Sequence, residues 1–166
     1  MRWVTHQVGA LAAGLWLGLP ASGLAAAWFG GIFPDVMDQK AAGLFRNRQK
    51  GFNRVHRGFS HWPGLWLAGF FATLCLLPVQ MNYALRPVLS GFFIGGLSHV
   101  VLDMLTVQGI PLRPFSRKNR LSLNLCKTGG IGEYIFLATL AVCICFFFSD
   151  KISAMAGILL RAASTL

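Results

Sequence analysis

The 166-residue chain is short enough to form one domain, residues 1–166. At 55% hydrophobic and 12% charged, with a mean hydropathy of +0.58, its composition excludes an ordinary soluble protein. A net charge of +10 on a soluble surface would suggest nucleic acid, but here the basic residues sit between apolar runs and lack interleaved aromatics for base stacking. They read instead as orientation signals and contacts to anionic lipid.

The first apolar run, Val8–Phe33, imitates a signal peptide, with Arg2 ahead of it and Ala-Ser-Gly-Leu-Ala-Ala-Ala at 21–27. It is read as retained, because it continues through Trp28–Phe33 into a polar motif. Gly18-Leu-Pro20 and Gly23 divide it, and a proline inside a helix forces a kink or break. A fold-back would return Asp35 to the side of His6, whereas a straight span would part them by about 30 Å of hydrocarbon. A hairpin or sharply broken helix is therefore required if both residues serve one site.

A polar segment, Pro34–Pro63, leads to the second apolar run, Gly64–Val79. A short loop near Gln80–Pro87 precedes the third run, Val88–Val107, and a longer one, Gln108–Glu133, precedes the fourth, Tyr134–Phe148. The second and fourth runs fall short of the roughly 20 residues of a span unless flanking residues extend them. The tail, Ile152–Leu166, suits an interfacial or partly inserted helix. The expected fold is all-α, an integral membrane bundle of four to six helices.

The four cysteines include no CxxC pair, so neither a disulfide framework nor a thiolate zinc site is expected. With the hairpin, every Lys and Arg except Arg86, Lys151 and Arg161 falls on one side. The positive-inside rule makes that side cytoplasmic and the protein a multi-pass inner-membrane protein.

Of four histidines and five acids, all but Asp150 lie near the cytoplasmic ends of the apolar runs. Charged groups at hydrocarbon depth are costly and default to a functional reading. His99 and Asp103, at i and i+4, share one helix face and can address one ion. Asp35 and Asp38, at i and i+3, converge if their segment is helical; alternatively, Asp35 after Pro34 meets the dipole of a helix N-terminus. His56 and His61 do not share a helical face, so Ser60 is expected to cap a helix starting at His61, with His56 on the preceding loop. Imidazoles and carboxylates without thiolates suit zinc, with manganese or iron as alternatives, and point to hydrolysis by metal-activated water.

The order Thr5-His6, FPDVMD, HRGFSH, GGLSHVVLDMLTVQGIPLRPF and TGGIGEY resembles the YdjM-like family of membrane-bound metal-dependent hydrolases. The likeness runs from residue 5 to about 135. It implies a helical membrane protein, distantly similar to the zinc-dependent phospholipase C and P1 nuclease group, with His6, Asp35, His56, His61, His99 and Asp103 as metal ligands. Asp38 departs from the pattern, separated from Asp35 by two residues, Val36 and Met37, rather than one, and Trp62 replaces a serine after His61.

The expected activity is hydrolysis of a phosphoester in a lipid or other anionic amphiphile at the cytoplasmic face. Asp38 or Glu133 would be the general base, and Arg57 and Arg113, with Arg117, Lys118 and Arg120, would hold the anion. The alternative is a non-enzymatic metal-binding or structural membrane protein.

Overall fold

Gly18, Leu19 and Pro20 interrupt the first apolar run. In the computed structural model, which describes residues 1–77, 84–115 and 119–163 with side chains to residue 157, α1 (Trp3–Trp16) and α2 (Ala21–Gly30) form a hairpin. Gly18 takes the left-handed conformation (φ 68°) that a residue with a Cβ adopts only at a cost, and Pro20 stands at the N-terminal boundary of α2. The two helices pack on each other, so His6 and Asp35 end on the same side.

The segment expected as a polar loop is largely helical. Pro34 sits in the first turn of α3 (Phe33–Ala42), where its missing N–H costs nothing, while Asp35 and Lys40 complement the two ends of the dipole. Asn47 caps α4 (Arg48–Val55), its side chain accepting a hydrogen bond from the Lys50 amide at 3.0 Å. A 3-10 turn, Phe59–His61, then leads into α5 (Pro63–Leu76). α5 starts two residues after His61, so Trp62 and not Ser60 occupies its boundary.

α6 (Leu85–Met104) is the central helix and packs against α1, α2 and α5. Against α2 the approach is backbone to backbone: a Cβ at Gly91 would collide with the carbonyl oxygen of Gly23, and one at Gly95 with that of Ala27. This small-xxx-small contact closes helices that have no hydrophobic driving force between them in lipid.

After α6 a two-residue ladder pairs β1 (Ile110–Pro111) with β2 (Arg120–Leu121), a feature absent from the sequence reading. Ile110 tucks beneath it against Trp66 and Val100, the buried apolar core on the inner side of the site. Finally α7 (Ile131–Ala163) bends at Phe148, between the predicted fourth run and the tail, and Lys151 just beyond reaches the carbonyl of Leu15 at 3.4 Å.

Seven α-helices among the described residues exceed the expected four to six, because α3 and α4 occupy the supposed loop. Two of them, α6 and the Ile131–Gly157 part of α7, are long and apolar enough to cross a membrane. Most of α7's side chains face outward, with Ile135, Val142, Phe146 and Phe147 exposed.

Candidate metal centre

The hairpin, α3, the 3-10 turn and the last turn of α6 each deliver ionisable side chains to one buried point. Asp35 Oδ1 lies 3.5 Å from His61 Nε2 and 3.8 Å from both His99 Nε2 and His56 Nδ1. Asp103 Oδ2 lies 3.4 Å from His61 Nε2 and 3.8 Å from His99 Nε2, while its Oδ1 lies 3.5 Å from His6 Nε2. Three sets meet within ion-binding reach: His6, Asp35 and His99; His61, His99 and Asp103; and Asp35, His56 and His61.

This arrangement is unfavourable for a protein without an ion. His99 Nδ1 donates to the Gly31 carbonyl, and Ser60, its own proton given to Asp38, accepts from His61 Nδ1, so in the neutral rings two Nε2 lone pairs face each other at 3.1 Å. Both ring nitrogens of His6 are buried with no hydrogen-bond partner. Orphaned polar atoms of this kind cost about 1–3 kcal/mol each, and a divalent cation would satisfy them together. The donor set, nitrogen and oxygen without sulfur, fits such an ion.

Surrounding groups aim the donors. His99 Nδ1 bonds the carbonyl of Gly31 at 2.7 Å, leaving Nε2 to point inward. His61 Nδ1 meets Ser60 Oγ at 2.9 Å, and Ser60 in turn donates to Asp38 Oδ1. The Trp3 indole donates to Asp35 Oδ2 at 3.0 Å, turning Oδ1 toward the imidazoles.

Burial opposes the charge on Asp35, but its hydrogen bond with His61 and the nearby His99 outweigh that and hold the carboxyl below the usual range. Burial likewise works against a proton on His61, yet its contacts with Asp103 and Asp35 prevail and raise its proton affinity.

A chain of this composition and geometry has known relatives. A family model described as YdjM inner membrane protein matches residues 1–165. The chain belongs to the YdjM inner-membrane protein family. It is also similar to Uncharacterized protein YvsG of Bacillus subtilis (strain 168), with 32% identity over 158 residues, covering 89% of this chain and 94% of that one. No solved structure matches. As a YdjM-family protein with α6 and α7 as apolar helices of spanning length, it is a membrane protein.

The six residues expected as ligands in this YdjM-family chain all belong to the three sets; His56 is the outermost and one-quarter exposed. The other expected residues fall elsewhere. Asp38 has both oxygens engaged: Oδ1 accepts from Ser60, and Oδ2 takes the Arg57 amide at 2.9 Å and His56 Nδ1 at 3.1 Å. Glu133 lies at the start of α7, outside the three sets, and clamps α1. It accepts from the Arg2 amide, the Thr5 hydroxyl at 2.7 Å and the Gly129 amide at 2.6 Å.

Arg57 is buried, with a left-handed backbone (φ 56°), and its guanidinium bonds Asp103 at 2.9 Å, Thr106 Oγ1 at 3.0 Å and the Gly109 carbonyl at 3.2 Å. The Met1 amino group also reaches Asp103, at 2.6 Å. Arg113 is exposed on the loop after α6, and Arg117 and Lys118 lie outside the described residues. The loop cation beside the site is Arg120, which with Asn53, His56, Arg57 and Gln108 lines a polar cavity of about 320 Å³.

Sequence reasoning passed over Trp3, Gly31 and Ser60's link to Asp38. Gly31 acts through its carbonyl, and no residue-type pattern signals that. Trp3 could have been found as an indole donor three residues ahead of His6.

Proposed function

We propose that this chain is a membrane-bound metal-dependent hydrolase that cleaves a phosphoester of a lipid or other amphiphile at the cytoplasmic membrane face, within a multi-pass helical bundle. The observation that carries the reading is the convergence of His6, His61, His99, Asp35 and Asp103, buried, with both nitrogens of His6 unpartnered. Zinc is the first choice for this donor set, with manganese or iron as alternatives. Such an ion, when bound, supplies a Lewis acid for a phosphoryl oxygen and lowers the pKa of water toward neutrality.

The chain's own residues do the rest. His61 and His99 are held by Ser60 and Gly31 so that their Nε2 atoms converge. His56, partly open to the polar cavity, is the general-base candidate, because its ring lines the space a substrate would enter. Arg120 and Arg57 flank it on the cavity wall, giving an anionic group a cationic boundary. Asp38 and Glu133 act as positioning residues, since their oxygens are committed to His56, Ser60 and the Arg57 amide, and to α1. The cytoplasmic orientation rests on the one-sided distribution of Lys and Arg.

The test is zinc content and hydrolysis of bis(p-nitrophenyl) phosphate and p-nitrophenyl phosphate by purified protein, with His61→Ala as control. Zinc-dependent turnover lost in His61→Ala is the expected result, and stoichiometric zinc without turnover on any phosphoester would defeat the enzymatic part. A specific observation favours the non-enzymatic alternative: Asp103 is already paired with Arg57 and the Met1 amine, as a purely structural network would have it. That alternative predicts substoichiometric metal and a melting temperature indifferent to chelators.

A further inference from the structure

A second cavity, of about 350 Å³, is bordered by other residues of the same stretch, 53–60, that borders the polar one. Its walls are mainly apolar, formed by Met37, Ala41, Phe45, Val55, Phe59 and Phe115, with Arg54 also on the lining. Asp38 and Ser60 also line it, and these two residues orient His56 and His61. The cavity therefore ends one side chain away from the ion-binding donors.

Phe115 closes over it. Its backbone is left-handed (φ 62°), a conformation that costs a non-glycine residue on the order of 1–3 kcal/mol, and its ring stacks on Phe59 with centroids 5.0 Å apart and planes 6° from parallel. The ring is nevertheless 81% exposed, so burial of Phe115 does not explain the strained turn that holds it there. Strained residues of this kind cluster at ligand clamps. Phe59 lies in the 3-10 turn that leads directly into the apolar helix α5.

From this placement we infer that the substrate is an anionic amphiphile with a single apolar chain, the chain lying in the Phe45–Phe59–Phe115 cavity and the phosphate facing the metal centre and the His56–Arg57–Arg120 wall. The inference rests on the hydrolase reading above. It commits to an alkyl chain as occupant because most of the cavity wall is apolar, Arg54 and the Asp38–Ser60 pair being its charged and polar members, and because the neighbouring polar cavity is bounded by Arg57 and Arg120. An amphiphile's own division into tail and anionic head matches that division of the two cavities.

The probes are inorganic phosphate, butyl phosphate and octyl phosphate, titrated onto zinc-loaded protein in phosphatidylcholine nanodiscs. Wild type is expected to bind octyl phosphate at least tenfold more tightly than butyl phosphate. Ala41→Trp, which fills the cavity, should abolish that gain while leaving inorganic phosphate binding unchanged. Phe115→Ala removes an exposed ring that the core does not need and should reduce the gain several-fold. A chain-length gain equal in wild type and both variants means that the chain sits in the bilayer, and overturns the cavity assignment alone. If Ala41→Trp also loses inorganic phosphate, Phe115→Ala decides: an unchanged gain there overturns the assignment. Absence of zinc-dependent phosphate binding in the wild type defeats the hydrolase reading itself.

Discussion

His6 lies flat on His99, ring centroids 3.6 Å apart and planes 14° from parallel, and neither nitrogen of His6 has a hydrogen-bond partner. A stacked, buried imidazole pair with one unpartnered ring, His6, is a poor element of a protein core and a good one of an ion site. Wild-type protein purified in detergent should therefore carry zinc. His99→Ala and His61→Ala should each lower zinc content more than His56→Ala, because His61 and His99 each belong to two of the three donor sets and His56 only to the outermost. Elemental analysis of the four proteins checks this, and equal zinc in all of them would remove the site.

Asp38 separates a positioning role from a catalytic one. Its oxygens bond Ser60, His56 and the Arg57 amide. Asp38→Asn and Ser60→Ala should weaken zinc binding by about 10–100-fold, the usual effect of losing an outer hydrogen-bond partner. Activity lost in these variants should return at excess zinc. A general base would behave differently, with activity lost at every zinc concentration.

The parts of the site legible from sequence were those set by helical spacing. His99 and Asp103 converge because i and i+4 share a face, and Asp35 joins them because Gly18-Leu-Pro20 turns the chain back. The roles of Asp38, Arg57 and Glu133 were not legible, since a carboxylate's partners depend on which distant elements pack beside it. Glu133 contacts Arg2 and Thr5 across nearly the whole sequence. The helices within Pro34–Pro63 were hidden by their polarity, and the Gly23–Gly91 and Ala27–Gly95 approaches by an emphasis on charged residues over small ones.

Those glycines carry the scaffold. Gly95→Val places a branched side chain against the carbonyl of Ala27, forcing α2 away from α6 and loosening the Gly31 carbonyl that orients His99. The expected result is a lower melting temperature in detergent together with reduced zinc content. Gly157→Val meets nothing within 4 Å and should leave both unchanged.

Glu133 satisfies donors of α1 and of the turn before α7 at once. Glu133→Ala leaves the Arg2 and Gly129 amides and the Thr5 hydroxyl without their acceptor, at about 1–3 kcal/mol for each group that stays buried. Thr5→Val should reproduce only part of the loss. Thermal unfolding should rank wild type above Thr5→Val above Glu133→Ala. If Glu133→Ala melts like wild type but loses turnover, the carboxylate takes part in the chemistry instead.

The contacts of His61 predict a pH dependence for the proposed zinc binding. Asp103 and Asp35 raise its proton affinity in the metal-free protein, so below its pKa an incoming ion must displace that proton. Zinc affinity should therefore fall as pH falls, by up to about tenfold per pH unit for each proton displaced. Without metal the sign reverses for His61: its raised pKa contributes stability that is fully present below about 6.5 and is lost as pH rises through the folded-state value. Asp35, held low, contributes stability above about 3.9 that is lost only as pH falls through its own lower value. Chelator-treated protein should then gain little stability between pH 6 and 8 or lose some, while zinc-loaded protein should gain over the same interval. Thermal unfolding of both forms at the two pH values reads the crossing, and parallel responses would mean that zinc does not compete with the His61 proton.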